Sequence, residues 1–304
     1  MVGTVEDGMN PSLLVIGARG QLGRDLVAAA ARAGITRIHA PGSAELDITD
    51  PAALSAAVGH CGPRLVVINA AAYTAVDVAE CAGAARAHAV NAQGPGNLAR
   101  ACADRQAHLV HISTDYVFAG DSADANPVDG PTVPRTVYGR TKLAGERAVL
   151  SAVSFSGASA HVVRTAWLYG AHGGNFVRTM ARLARADEVI RVVDDQHGNP
   201  TWAADLADGL IALALAADRV PAGVLHCVNT GTTSWFGLAR AVFAEVGADP
   251  DRVRPCSTAE FPRPAPRPAN SVLDTTGWVG AGLPELRHWH AALHAAAIAG
   301  VLAG

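Results

Sequence analysis

Tyr138 and Lys142 lie four residues apart in Tyr138-Gly139-Arg140-Thr141-Lys142, and the helix formers that follow, Leu143 to Ala148, predict a helix carrying both on one face. A free tyrosine, with pKa about 10, is a poor acid or base near neutrality, and bringing it to about 7 takes roughly 4 kcal/mol of preferential phenolate stabilisation. A lysine cation beside the phenol supplies much of that. A tyrosine tuned this way suits proton exchange with a carbonyl or hydroxyl oxygen while a cofactor moves a hydride. An ordinary surface helix can show the same spacing, so the elements around the pair decide between the two.

Those elements begin with the apolar run Ser12 to Ile16, which enters Gly17-Ala18-Arg19-Gly20-Gln21-Leu22-Gly23 and then helix formers from Asp25 to Ala33. Strand, glycine turn and helix in that order are the setting of a dinucleotide-binding fingerprint: the glycines permit a tight turn, and pyrophosphate sits at the positive end of the helix. A second strand, Thr36 to Ala40, ends without an acidic residue for a ribose 2′-hydroxyl, and Arg19 is placed to meet a 2′-phosphate. The cofactor expected is therefore NADPH, with NADH open, because an exposed Arg19 touching solvent alone is nearly as good a reading. Asp47, followed by Ile48, can reach an adenine amino group or form a turn, while Asp50 before Pro51 is the helix cap.

Arg64 to Ile68 is a further strand running into Asn69-Ala70-Ala71-Ala72-Tyr73, whose small residues let a flat cofactor approach the backbone. Val76 to Arg105 reads as largely helical, interrupted at Asn91, Gly94, Pro95 and Gly96. His108 to Ile112 is the fourth strand, ending in Ser113-Thr114-Asp115-Tyr116-Val117-Phe118. Four strands with intervening helices predict an α/β, doubly wound parallel sheet of the Rossmann type. Thr114 then lies at a strand's C-terminal end with Tyr138 on the next helix, so a hydroxyl and a phenol can grip one carbonyl oxygen.

Taken together, the glycine turn, Asn69-Ala70-Ala71, the Ser113 to Phe118 segment and Tyr138-x-x-x-Lys142 resemble the extended short-chain dehydrogenase/reductases, from about Leu13 to about Thr275. The resemblance implies a catalytic triad of Thr114, Tyr138 and Lys142, and reduction of the C4 keto group of dTDP-4-dehydro-L-rhamnose by NAD(P)H. Tyr138 would donate the proton to the C4 oxygen, Thr114 would hydrogen-bond that oxygen, and Lys142 would hold the nicotinamide ribose. Asp115 and Tyr116 would flank the sugar. Family members usually carry a Tyr-x-Glu between the positions of Phe118 and Tyr138; this chain has Ala125 to Pro131 without a tyrosine, and Asp129 is the acidic residue there.

In the second half, the strand His161 to Thr165 passes into Ala166-Trp167-Leu168-Tyr169-Gly170 and then Asn175-Phe176. By the resemblance Trp167, Asn175 and Phe176 line the substrate, with core packing the competing role for Trp167. After a short strand, Val189 to Val193, the loop Asp194 to Thr201 resembles the family's D-x-Q-x-G-x-P-T segment and offers Gln196 to the substrate. Ala203 to Ala217 reads as a helix, Gly223 to Asn229 as a strand, and Ser234 as the cap of a helix reaching about Val246. Composition makes Arg252 to Asn270 an extended linker, but Arg267 to Asp274 matches the family's R-P-x-x-S-x-L segment. Arg267 is thereby the candidate clamp for a nucleotide diphosphate, since a guanidinium offers bidentate donors. The expected organisation is a disordered extension over 1–10, a dinucleotide-binding domain over 11–166, and a mainly substrate-binding lobe over 167–304 from which roughly 200–228 returns to the first domain.

The bounds from composition agree. A chain of 304 residues, half of it apolar, can bury a large core, and a net charge of -3 gives no bulk basic excess for nucleic acid or an anionic membrane. Five scattered cysteines without a C-x-x-C fit reduced thiols in a cytoplasmic protein, and the polar opening does not read as a signal peptide. The longest apolar run, around Leu210 to Ala217, is too short for a bilayer. His288, His290 and His294 do not make a metal site, because only the last two share a helix face and no H-E-x-x-H or convergent carboxylate accompanies them. Mg²⁺ at a dimer contact, used by some relatives, is not indicated, and a homodimer stays open. Two other functions compete: an epimerase or dehydratase of the same superfamily that regenerates its cofactor, against which Tyr116 stands where a glutamate would follow Asp115; and a regulatory dinucleotide-binding subunit like the reductase-like partner of methionine adenosyltransferase, against which the intact triad stands.

Overall fold

The computed structural model describes residues 11–154 and 156–303; the extension expected over 1–10 lies outside the described residues. The first half alternates strands and helices: β1 (Ser12–Ile16), α1 (Gln21–Arg32), β2 (Ile38–His39), α2 (Pro51–His60), β3 (Leu65–Asn69), α3 (Val76–Ala79), α4 (Ala84–His88), α5 (Gly94–Asp104), β4 (His108–Thr114), α6 (Val137–Val153) and β5 (Ala160–Thr165). There follow β6 (Leu168–Tyr169), α7 (Phe176–Ala184), β7 (Ile190–Val193), β8 (His197–Gly198), β9 (Thr201–Trp202), α8 (Ala203–Leu215), β10 (Gly223–His226), β11 (Thr233–Ser234), α9 (Trp235–Glu245), β12 (Val253–Cys256), α10 (Thr276–Gly280) and α11 (Trp289–Ile298).

Six strands form one parallel sheet in the order β10-β5-β4-β3-β1-β2. The expected α/β doubly wound architecture is present, and the chain's reversal between β1 and β3 opens a crevice at their C-terminal ends. The central strands β1, β3 and β5 are buried on both faces, as a parallel sheet covered by helices requires. Leu13 and Val15 of β1 enter a core shared with α1 and α8, while Leu14 and Ile16 enter one shared with α2 and α5. A third core, built on α7, α9 and α11 around Phe243 and Leu293, supports the second lobe. Among the described residues no helix is long and apolar enough to cross a membrane.

Three expectations change. The second strand shrinks to two residues paired with Leu13 and Leu14, as suits the edge of the sheet. The helix expected over Val76 to Arg105 is α3, α4 and α5, with the last two joined through a π-helical turn, Ala89–Gln93. That turn buries Asn91, whose amide accepts from Tyr73 N and donates to Tyr73 O and to Thr141 Oγ1 of α6. Segment 252–270 includes a strand, because β12 pairs in parallel with β7. The chain returns to the large sheet through α8, which packs on α1, and β10, which pairs with β5.

Helix α6 approaches this π-helical turn closely. A Cβ added at Gly145 would lie 2.1 Å from the Asn91 carbonyl oxygen, a backbone atom that cannot step aside. Gly145→Ala is expected to destabilise the fold by about 1–3 kcal/mol, whereas Gly59→Ala in α2, where a Cβ meets nothing, is expected to stabilise it by about 0.5–1 kcal/mol. Urea midpoints of the two variants against the parent chain check both signs.

Candidate active site

Two clefts bear on the candidate site. The first lies at the sheet reversal, holds about 440 Å³, and is lined by Gly17, Arg19 and Gly20 of the glycine turn, by Asp47 and Ile48, and by Ala70 to Tyr73 after β3. Gly17 has φ +79°, and a Cβ there would lie 2.8 Å from Ala71 N; a Cβ at Gly23 would lie 2.2 Å from Gly17 O. Only glycine lets the turn fold onto β3 and α1 start immediately beneath it. No side chain caps α1, so its first-turn N–H groups are available to a phosphate at the positive end of the helix. The lining and the uncapped helix fit a dinucleotide.

Several expected contacts of this cleft are qualified by the side chains. Arg19 is ion-paired with Glu45 at 2.6 Å and does not stand free for a 2′-phosphate, although it still lines the cleft. Asp47 accepts from both the backbone and the hydroxyl of Thr49, the turn role, and lies 3.7 Å from Arg86. Backbone and hydroxyl bonds from Thr49 lead in holding its carboxyl below the usual range. Gln21 turns its side chain to the second lobe, donating to Leu168 O and accepting from Asn175, while Leu22 is buried in the core. Tyr73 and Arg86 complete the lining; no motif in the sequence marks them.

At the end of β4 the candidate triad assembles. Thr114 caps the 3₁₀ turn Asp115–Val117, its hydroxyl accepting from Tyr116 N and donating to Asp115 Oδ1 at 2.7 Å. The proton assigned by resemblance to a sugar oxygen is thus directed at Asp115 here, and the hydroxyl must rotate to meet a ligand. Burial pushes the Asp115 carboxyl up to about 6, against hydrogen bonds from Thr114 and Ser271. Thr136 caps α6 through Gly139 N, and Glu80 accepts from Val137 N, which fixes the first turn that carries Tyr138. Tyr138 is buried, with its ring edge-on to Tyr116 at 5.5 Å.

The expectation that Lys142 draws the phenol's pKa down is corrected. Burial pushes Tyr138 well above the ordinary tyrosine value, the Asp115 charge adds to this, and a hydrogen bond with Thr114 opposes it. Lys142 spends its ammonium on the Ile112 carbonyl at 2.6 Å; burial lowers it to about 8, with Glu146 opposing. The phenol is therefore held in its protonated form.

The second cleft, about 490 Å³, is lined by the candidate residues Tyr116, Phe176, Gln196 and Arg267 and also by Met180, Arg191, Trp235, Phe261 and Arg263. Gln196 is buried and donates to Thr258. Arg267 is ion-paired with Asp77 at 2.8 Å and donates to Ala265 O. Trp167 has φ +47°, donates to Ser271 and stacks on Trp235 with centroids 3.6 Å apart, so packing claims its ring. Asn175 is placed away from the lining: its amide caps α7 through Arg178 N and bridges to Gln21 and Gly170 O, tying the two lobes together. Asp129 is exposed, and Asn126 beside it is stitched to Val272. Trp235 escaped notice because, directly after the cap Ser234, it reads as the first residue of a helix.

Comparison with known proteins places the chain in a family. A family profile described as RmlD substrate binding domain matches residues 10–300. The chain is 53% identical over 285 residues to a dTDP-4-dehydrorhamnose reductase of Streptomyces griseus, covering 93% of this chain and 92% of that one. It is 53% identical over 291 residues to the dTDP-4-dehydrorhamnose reductase of Mycobacterium tuberculosis H37Rv, covering 94% and 92%. Its fold is similar to the crystal structure of a dTDP-4-dehydrorhamnose reductase from Bacillus anthracis in complex with NADP, with TM-score 0.88, 35% identity, and coverage of 96% and 100%.

Trp235 holds both Trp167 and Phe176, whose ring lies 4.5 Å from its own. Trp235→Leu is expected to lower stability by about 1–3 kcal/mol and to weaken ligand binding in the second cleft about tenfold, with binding at the glycine turn unchanged. Thermal unfolding and separate titrations of the two clefts measure this.

Proposed function

The chain belongs to the RmlD substrate binding domain family, and from that membership we propose that it reduces the C4 keto group of dTDP-4-dehydro-L-rhamnose to give dTDP-L-rhamnose. It is an NAD(P)H-dependent oxidoreductase, as its relatives' names and the NADP complex support. The observation that carries the assignment of roles is the gathering of Thr114, Tyr138 and Lys142 at the end of β4, with the Tyr138 ring edge-on to Tyr116 of the second cleft.

Bound NADPH supplies the hydride. Gly17, Gly20 and the first turn of α1 hold its pyrophosphate, Arg19 and Asp47 flank its adenosine half, and Ala70 to Ala72 shape the wall. Residues 11–166 with 200–228 serve this cofactor, and the remainder of 167–304 serves mainly the sugar nucleotide. Tyr138 donates its phenolic proton to the C4 oxygen; the raised pKa keeps that proton in place until the oxygen becomes basic enough to take it. Thr114 orients the same oxygen, and Lys142 as a cation stabilises the phenolate once it forms. Tyr116, Phe176 and Gln196 border the sugar, and Arg267, steadied by Asp77, clamps the diphosphate.

Tyr138→Phe is expected to abolish turnover with NADPH affinity nearly unchanged, and Lys142→Met to impair both. Arg267→Met is expected to raise the sugar KM by at least about tenfold with little effect on NADPH binding. Steady-state kinetics paired with NADPH fluorescence titration checks all three; full activity in Tyr138→Phe removes that residue from the mechanism.

A further inference from the structure

Below the triad, the face of α6 that carries Tyr138 and Lys142 continues to Glu146, again four residues on. Glu146 and Arg164 form a fully buried ion pair, their side chains 3% and 5% exposed. Arg164 of β5 donates through Nε and Nη2 to the two carboxylate oxygens at 3.0 and 2.8 Å, a bidentate fork. Ser113 of β4 donates to the same carboxylate. Ser113 and Arg164 are partners in the parallel register of β4 and β5, and the next pair along is Thr114 with Thr165. One carboxylate on α6 thus grips two strands one residue before the candidate catalytic threonine. The remaining Arg164 nitrogen donates to Val128 O in the segment leading into α6, and the guanidinium lies over the Phe118 ring.

Stability alone is a weak reason for this arrangement, because a buried ion pair seldom outperforms a well-packed apolar pair of the same volume. Geometry is the stronger reason, since the fork allows a single placement of α6 along and across the strands. We propose that Glu146 and Arg164 are positioning residues for the reduction: their ion pair fixes the register of α6, and with it Tyr138 and Lys142, against Thr114. The proposal rests on the assignment of those three residues to catalysis. Glu146 is also the carboxylate that acts on Lys142. The other titratable group in electrostatic contact with that ammonium is His111 on β4, held neutral by burial; Arg164 on β5, with His226 of β10 beside it, is bound to the same Glu146 carboxylate.

Three variants test the pair. In the double variant Glu146→Met/Arg164→Met an apolar pair keeps the core filled, and kcat is expected to fall about 10²-fold while the sugar KM changes less than about threefold. Arg164→Lys keeps the charge and loses the fork, so it should fall between this and the parent chain. Glu146→Gln should also move the basic limb of the pH–kcat profile to lower pH, because Lys142 loses the charge that favours its protonated form; a purely structural role lowers kcat without moving that limb. Hydrogen exchange of the α6 amides, read without turnover, should speed up in all three. A folded double variant with parental kcat and α6 exchange overturns the proposal, as does an unmoved limb in Glu146→Gln. A parent chain that never turns over, with α6 loosened in the variants, overturns the assigned catalysis and leaves the positioning role standing.

Discussion

The site depends on how closely α6 can be drawn onto the end of β4. Lys142 is 2% exposed and reaches the Ile112 carbonyl at 2.6 Å, a contact that places an ammonium inside the fold. A charge is buried at such depth only where hydrogen bonds and an opposite charge compensate it. Ile112 O and Glu146 provide these, and Gly145 makes room by letting the helix pass against the Asn91 carbonyl. The π-helical turn around Asn91 is the counterpart of that approach: an irregular turn whose side chain ties Tyr73, at the wall of the cofactor cleft, to Thr141 on α6. The wall of the first cleft, α6 and the end of β4 are thereby one connected body.

The seam between the lobes follows the same economy. Gln21 stands at the start of α1, where the pyrophosphate is expected, yet its side chain reaches Leu168 and Asn175. Asn175 also caps α7, the helix that presents Phe176 and Met180 to the second cleft. Two neutral amides therefore join the start of α1 to the helix that lines the second cleft.

Most of the sheet was legible because its signals are local. Ser12 to Ile16, Arg64 to Ile68 and His108 to Ile112 are apolar on both faces and end in glycine, alanine or hydroxyl residues, so strand, direction and ligand edge can be read together. Tyr138-x-x-x-Lys142 was legible for the same reason, as helical spacing is fixed by geometry. What escaped depends on contacts between distant segments. Arg164 and Glu146 are ordinary charged residues until β4, β5 and α6 meet, and Asp77 shows no role until segment 265–267 folds back on it. The tuning of Tyr138 was misjudged because helical spacing gives the proximity of Lys142 and not the burial that outweighs it. The motif around Asn175 points to a substrate contact, whereas its three side-chain hydrogen bonds commit it to the lobe seam.

The central claim is a net reduction that consumes cofactor at each turnover, which separates this protein from epimerases and dehydratases that regenerate theirs and from a binding subunit without turnover. The most direct test is the stoichiometry of NADPH oxidation by the purified protein with dTDP-4-dehydro-L-rhamnose generated in situ. One NADPH oxidised for each keto sugar lost, with dTDP-L-rhamnose as the product, is the result predicted. Loss of the keto sugar without NADPH oxidation, or NADPH bound with neither consumed, would contradict it.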